Sequence, residues 1–220
     1  MTDSSETVRY FTPAEVAAHN CEADIWVSFL GKVLDLTKLV REHQGNLLLK
    51  PLLLCAGKDI SHWFDPKTGN MRTHIDPITG LELPFTPHGR VLDVPPACPS
   101  SRWATNFGTP WWRDDDHVVG RLSERTRLIK VTNMLTKESQ TIEVCNEEPL
   151  RQIQQRYQTY NSHSRSYTWK HLTKVLDMNL TLAENGVEEL ADEFDRLHID
   201  RNEFIPELQI YYNDDLLPSA

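Results

Sequence analysis

A histidine followed at once by a turn, then six leucines, then a second turn and a second histidine fall within one short stretch of this chain, from His43 to His74. Gly45 tolerates positive φ and Asn46 visits the left-handed region at low cost, so the backbone turns just after His43. Leu47, Leu48, Leu49, Leu52, Leu53 and Leu54 recur at steps of three and four, the spacing of helices that wall an apolar space. Ala56-Gly57-Lys58-Asp59 interrupts the run, and Asp59 is placed to cap a short helix carrying Ile60, Trp63 and Phe64. The turn-rich Asp65-Pro66-Lys67-Thr68-Gly69-Asn70 then leads to His74. An apolar wall with an imidazole at each end suits a flat, apolar, metal-centred ligand.

The residues before this stretch read as the frame that presents it. Thr12-Pro13-Ala14-Glu15 has the form of a capping box with proline at the first helical position, predicting a helix to about His19-Asn20 with Val16 toward the core. Ile25 to Leu30 and Lys32 to Leu36 read as strands joined across Gly31, and Thr37 is placed to cap the helix that delivers His43.

Taken in order, these pieces resemble the cytochrome b5 haem-binding family. That pattern runs helix, strand with Trp, strand ending Asp-x-Thr, His-Pro-Gly-Gly, apolar helix, Ala-Gly-x-Asp, aromatic residue and second histidine. Here it reads Thr12-Pro13-Ala14-Glu15, Ile25-Trp26-Val27, Val33-Leu34-Asp35-Leu36-Thr37, His43-Gln44-Gly45-Asn46, Ala56-Gly57-Lys58-Asp59, Phe64 and His74. The likeness covers roughly residues 10 to 76, and the ordered set is far more specific than any one piece. Two departures stand out: Gln44 and Asn46 replace the family's Pro and second Gly, and about five extra residues separate Phe64 from the second histidine.

The resemblance implies a bound haem b with iron between His43 and His74, and Gly45, Leu48, Leu53 and Phe64 about it. It also offers Arg72 as a partner for a haem propionate. His62, on the short helix beside Trp63, competes with His74 for the second axial position. His19 reads as a structural histidine, and His88, His117, His163, His171 and His198 read as surface residues. Two strong-field imidazoles would hold the iron low-spin in both oxidation states, which suits electron transfer and disfavours oxygen activation.

In 220 residues no apolar window approaches a membrane span, and Met1-Thr2-Asp3-Ser4-Ser5-Glu6 lacks the form of a signal peptide, so a cytoplasmic protein without a membrane span is expected. Cys21, Cys55, Cys98 and Cys145 lie too far apart for a zinc site or a disulfide scaffold and read as reduced thiols. A net charge of -9 argues against nucleic acid as a partner. There is no nucleotide-binding glycine motif and no Ser/His/Asp or Cys/His constellation, so an electron-transfer or sensing module is expected rather than a self-contained enzyme.

Residues 77 to 120 hold seven of the thirteen prolines and three of the six tryptophans, too much proline for a regular helix and too much aromatic surface for a solvated linker. Trp103, Phe107, Trp111 and Trp112 therefore predict an ordered strap, packed as plain aromatic core or laid over a haem face. From Thr126 a new pattern begins. Ile129 and Val131 alternate, as do Ile142 and Val144, across the turn Thr136-Lys137-Glu138-Ser139. Leu150, Ile153 and Tyr157 share one helical face, Tyr167 and Trp169 alternate, and Leu208, Ile210 and Tyr212 close the series. This order is similar to the ubiquitin-like β-grasp, with Leu176 to Val187 resembling the segment before ubiquitin's last strand.

The expected fold class is α+β: a cytochrome b5-like haem-binding domain (1–80), a Pro/Trp-rich strap (81–122) and a ubiquitin-like β-grasp domain (123–220). That combination resembles a family of cytochrome b5 domain proteins and implies a protein assembly as partner, namely radial-spoke components of the motile-cilium axoneme, with a possible redox partner. Leu216-Leu217-Pro218-Ser219-Ala220 lacks the Gly-Gly end used for conjugation, so the β-grasp domain is expected to bind. The competing reading is a scaffold that keeps the cytochrome b5 fold without functional haem. Residues 184 to 215 carry eleven acidic residues against two arginines. A helix over Val187 to Leu197, with Leu190, Phe194 and Leu197 as its apolar stripe, is expected to offer Glu189, Asp192 and Glu193 to a basic surface.

Overall fold

The computed structural model describes residues 8–98, 108–200 and 204–213. The chain divides into two compact units, Met1–Leu122 and Ser123–Ala220.

In the first unit, β1 (Tyr10–Phe11) enters α1 (Pro13–Ala18) through the predicted capping box. Glu15 N–H donates to Thr12 Oγ1 at 3.1 Å and Thr12 N–H to the Glu15 carboxylate at 2.8 Å, which satisfies two orphan donors at once. β2 (Asn20–Cys21), β3 (Asp24–Phe29) and β4 (Lys32–Asp35) follow, with β3 and β4 antiparallel in the register Val27↔Leu34. Leu30 and Gly31 both take positive φ in the tight turn between them.

α2 (Thr37–Glu42) carries His43 at its C-terminus. The cap expected from Thr37 is not made. Leu36 holds the N-cap position, and the Thr37 hydroxyl instead accepts from Ile25 N–H at 3.2 Å, tying the helix start to β3. The leucine run forms a 3-10 turn, Leu47–Leu49, capped by Asn46, and then α3 (Lys50–Leu54). Asp59 is not a cap either. Its Oδ1 accepts from Ser28 at 2.9 Å and Ser61 at 2.6 Å, and the next turn (Ser61–Trp63) starts from Ile60 with no side-chain cap. In both places a long-range partner outcompetes the local backbone.

β5 (Thr73–Ile75) and β6 (Glu82–Pro84) form a separate hairpin with His74 opposite Leu83. Of the expected aromatic strap, Trp103 and Phe107 lie outside the described residues. Trp111 and the neighbouring Val91, Leu92 and Val94 are buried in the first unit's core with Leu39, Leu52, Trp63 and Phe64, and Trp112 packs against it. The strap ends in β7 (Val118–Leu122), a strand not anticipated from the sequence. β7 lies inside the sheet, whose order is β1-β7-β4-β3-β2, parallel to β1 and antiparallel to β4. The described residues of 81–122 thus belong to the first unit.

The second unit contains β8 (Thr126–Asn133), β9 (Ser139–Cys145), α4 (Leu150–Tyr157), β10 (Tyr167–His171), β11 (Lys174–Val175), α5 (Ala191–Leu197) and β12 (Glu207–Tyr212). Its sheet order is β11-β10-β12-β8-β9, with β12 parallel to β8 and the other neighbours antiparallel. One helix across such a sheet makes a β-grasp, and Leu150, Ile153 and Tyr157 of α4 share its core with Ile129, Val131, Ile142, Val144, Leu208 and Ile210. The architecture is α+β throughout.

α5 is shorter than expected. Val187 belongs to the preceding turn, where its N–H donates to Leu182 O at 2.9 Å and its side chain is buried. Phe194 meets Phe204 edge-on, but Leu197 is 66% exposed, so the predicted stripe is only partly used. Of Glu189, Asp192 and Glu193, expected to face a partner, two have partners within the unit: Asp192 pairs with Arg125 at 3.0 Å, and Glu189, which precedes α5, accepts from Asn146.

Candidate functional site

His43 stands at the C-cap of α2, where its N–H donates to Leu39 O at 3.2 Å. Its Nδ1 lies 3.1 Å from the same carbonyl. A carbonyl only accepts, so Nδ1 carries a proton, and in the neutral ring Nε2 keeps the lone pair that a metal-ligating imidazole needs. Gly45, at φ 82°, makes the turn that follows.

His43 lines a cleft of about 620 Å³. Its other walls are Lys38, Leu39 and Glu42 from α2, Asp35 at the end of β4, and Asp93, Thr109, Trp111, Asp114, Asp116, His117 and Val119 from the strap and β7. Trp111 is fixed there by two bonds, its N–H donating to Asp93 Oδ2 at 3.0 Å and its indole N–H to Leu92 O at 3.2 Å. Of the five carboxylates, three already accept a backbone N–H: Asp35 from Thr37, Asp93 from Trp111 and Asp114 from Asp116.

The other residues read from the sequence are placed elsewhere. His74 is exposed on β5 with its ring edge-on to Phe85 at 6.2 Å, and it does not line the His43 cleft. Leu48 and Leu53 pack half-buried on the core. Phe64 is fully buried, 4.3 Å from the Phe29 ring and 6.3 and 6.0 Å from Trp111 and Trp112. Arg72 directs its Nε–H to Phe64 O at 2.8 Å. His62 is exposed beside Trp63. His19 stacks on Trp26 at 3.7 Å and bonds Asp24 at 2.7 Å, a structural role as expected.

His117 corrects the sequence reading. It was expected at the surface, yet its side chain is 12% exposed and it shares the cleft with His43. No local signal marks it, because what brings it there is the pairing of β7 with β4. The one hint was the β-branched pair Val118-Val119 directly after it.

Among the described residues no cluster of three or more His, Cys, Asp or Glu is arranged to hold a bare metal ion. A haem asks for other things: an imidazole of set tautomer, an aromatic or aliphatic wall, and a cation for its propionates. His43 supplies the imidazole and Trp111, Leu39 and Val119 an apolar wall, but five carboxylates face a single lysine in this cleft, a lining that does not fit a group carrying two anionic propionates.

Residues 12–74 match the family described as "Cytochrome b5-like Heme/Steroid binding domain". Over 208 residues the chain is 51% identical to cytochrome b5 domain-containing protein 1 of Xenopus laevis, covering 94% of this chain and 96% of that protein. The chain belongs to the cytochrome b5 domain-containing protein 1 family. The human member of that family is 53% identical, over 94% of this chain and 91% of its own. Likeness to cytochrome b5 of Candida tropicalis, at 38%, is confined to 65 residues, or 30% of this chain and 49% of that one. The cytochrome b5-like match ends at His74, so Trp111 and His117, which complete the His43 cleft here, lie outside it. No helix among the described residues is long and apolar enough to cross a membrane.

Proposed function

We propose that this protein is a haem b-binding redox or sensing module, not a self-contained enzyme, carried into a protein assembly by its β-grasp unit. The observation that carries the reading is the 3.1 Å contact of His43 Nδ1 with the Leu39 carbonyl, within the matched residues 12–74, which in the neutral ring leaves Nε2 for a metal. The Trp111 indole, whose N–H donates to Leu92 O, closes one wall of the cleft that His43 lines. A haem so held supplies a reversible one-electron couple. Bis-histidine ligation, with His74 as the second ligand inherited from the family pattern, is the finer form of this proposal. Attachment to radial-spoke components of the ciliary axoneme, from a cytoplasmic pool, is supported by the resemblance of the two-domain combination.

A second reading, a scaffold that keeps the fold without functional haem, is favoured by one observation. Phe64, which the family pattern places against the cofactor, is already enclosed by Phe29, Trp111 and Trp112. Titrating haemin into the purified full chain separates the two. A low-spin spectrum with sharp reduced α and β bands, lost in His43→Ala, supports the haem module; an unchanged haemin spectrum supports the scaffold.

A further inference from the structure

We infer that the groove between α5 and the outer face of β8 and β9 seats one large apolar side chain of a partner protein, from a segment carrying lysine or arginine on either side of it. This rests on the reading of the β-grasp unit as the part that docks, and uses nothing of the haem. Ile129 and Val131 point from β8 into the core beneath α4, so alternation turns Leu128 to the other face, in register with Glu143 of β9. Leu190 and Phe194, at the start and middle of α5, and Phe204, Ile205 and Pro206, leading into β12, enclose a groove there of about 180 Å³. An apolar cavity of roughly 150 Å³ accepts a benzene ring, so the groove has room for one large aromatic or aliphatic side chain.

The apolar side chains around it are incompletely covered by their own unit. None of the seven residues of α5 is buried, and Phe194 meets Phe204 edge-on while Phe204 stays 55% exposed. A helix this short draws its stability from packing an apolar face, which a seated side chain would complete. Charge selects what flanks that side chain. Glu143, Glu188 and Glu189 line the groove against Arg127, whose Nη1 is already engaged by Val187 O at 3.0 Å. Glu188 and Glu193 are exposed, and among the described residues neither has an ion-pair partner. Such a rim steers a basic segment in and repels nucleic acid and anionic membrane. It also disfavours a second copy of this chain, at net charge -9, and the chain's own tail, which carries Asp214 and Asp215.

The test is fluorescence polarisation of labelled peptides on the full chain: a central Phe between Lys and Arg residues, the same Phe between Glu residues, and a central Ser between Lys and Arg. Binding of the first alone is expected, weakened by added salt and by at least about tenfold in Leu128→Ser and in Glu188→Lys. Both positions are exposed, so the fold tolerates the changes. Equal binding of the Glu-flanked or Ser-centred peptide, no binding of any, or unchanged affinity in both variants overturns the inference. Dimers in sedimentation velocity that Leu128→Ser disperses make the occupant a second copy, and tighter peptide binding by Leu216→Ser/Leu217→Ser makes it the tail; either result overturns the inference. Retention of the full chain in the detergent-extracted cytoskeleton of its own cells separates the inference from the reading beneath it. Loss of retention in Glu188→Lys supports both. Equal retention of wild type and Glu188→Lys overturns the inference and leaves the docking reading standing, whereas a wild type that binds the first peptide yet is not retained overturns the docking reading alone.

Discussion

Arg156 donates its Nε–H to both carboxylate oxygens of Glu148 at 2.9 Å, and Glu148 has no solvent exposure. The same carboxylate accepts from Cys145 N–H at 2.9 Å, so it joins the end of β9 to the last turn of α4. Removing one member of a buried pair leaves the other's charge poorly compensated, at a cost of about 3–5 kcal/mol. Glu148→Ala is therefore expected to lower the unfolding free energy of the second unit by that amount, seen as a lower denaturation midpoint, and Glu148→Gln by less. An unchanged midpoint in Glu148→Ala would show that the pair does not stabilise the fold.

Gly120 lies where β7 runs against β1. A β-carbon there would sit 2.7 Å from a carbon of the Phe11 ring and closer still to the carbonyl oxygen of Arg9. Backbone cannot yield as a flexible side chain can, so Gly120→Ala is expected to cost about 1–3 kcal/mol, the usual penalty of overpacking. Thermal melting should show the loss in the first unit while near-UV signals of the second stay in place.

Burial pushes the Cys55 thiol above its ordinary range, with nearby Lys58 pulling weakly the other way. Iodoacetamide near neutral pH should therefore label the exposed Cys21 and Cys98 well before Cys55, as read by peptide mass spectrometry. The linkage follows in sign. Because the folded thiol holds its proton more firmly than the unfolded one, its contribution to stability is full at low pH and fades as pH rises through the thiol range. Cys55→Ser, whose hydroxyl does not titrate there, should flatten that alkaline decline.

Sequence reasoning succeeded where a signal and its partner are close together. The Thr12/Glu15 box, the turn across Gly31 and the alternation in β8 and β9 all name partners within a few residues or across one tight turn. It failed where the partner is remote. Thr37 and Asp59 have the chemistry of helix caps, but Ile25 in one case and Ser28 in the other bond them from β3. The first half of the site, His43 with its turn, is similarly local and legible. Its cleft is not, because Asp93, Trp111 and His117 reach it only through a strap and a strand whose neighbours are fixed by the whole sheet.

That strand has a consequence for how the chain is made. Among the described residues β7 is the strand that lies between β1 and β4, so the first sheet remains two unjoined pieces until Val118–Leu122 are free to pair. Closing a loop from Asp35 to Val118 precedes any gain from the pairing, and nonlocal closure of this kind slows folding. During synthesis the His43 helix would therefore form early but wait, with one edge of β4 open, for more than half the chain to be translated. A fragment ending near residue 80 would keep that open edge permanently and is expected to self-associate through it.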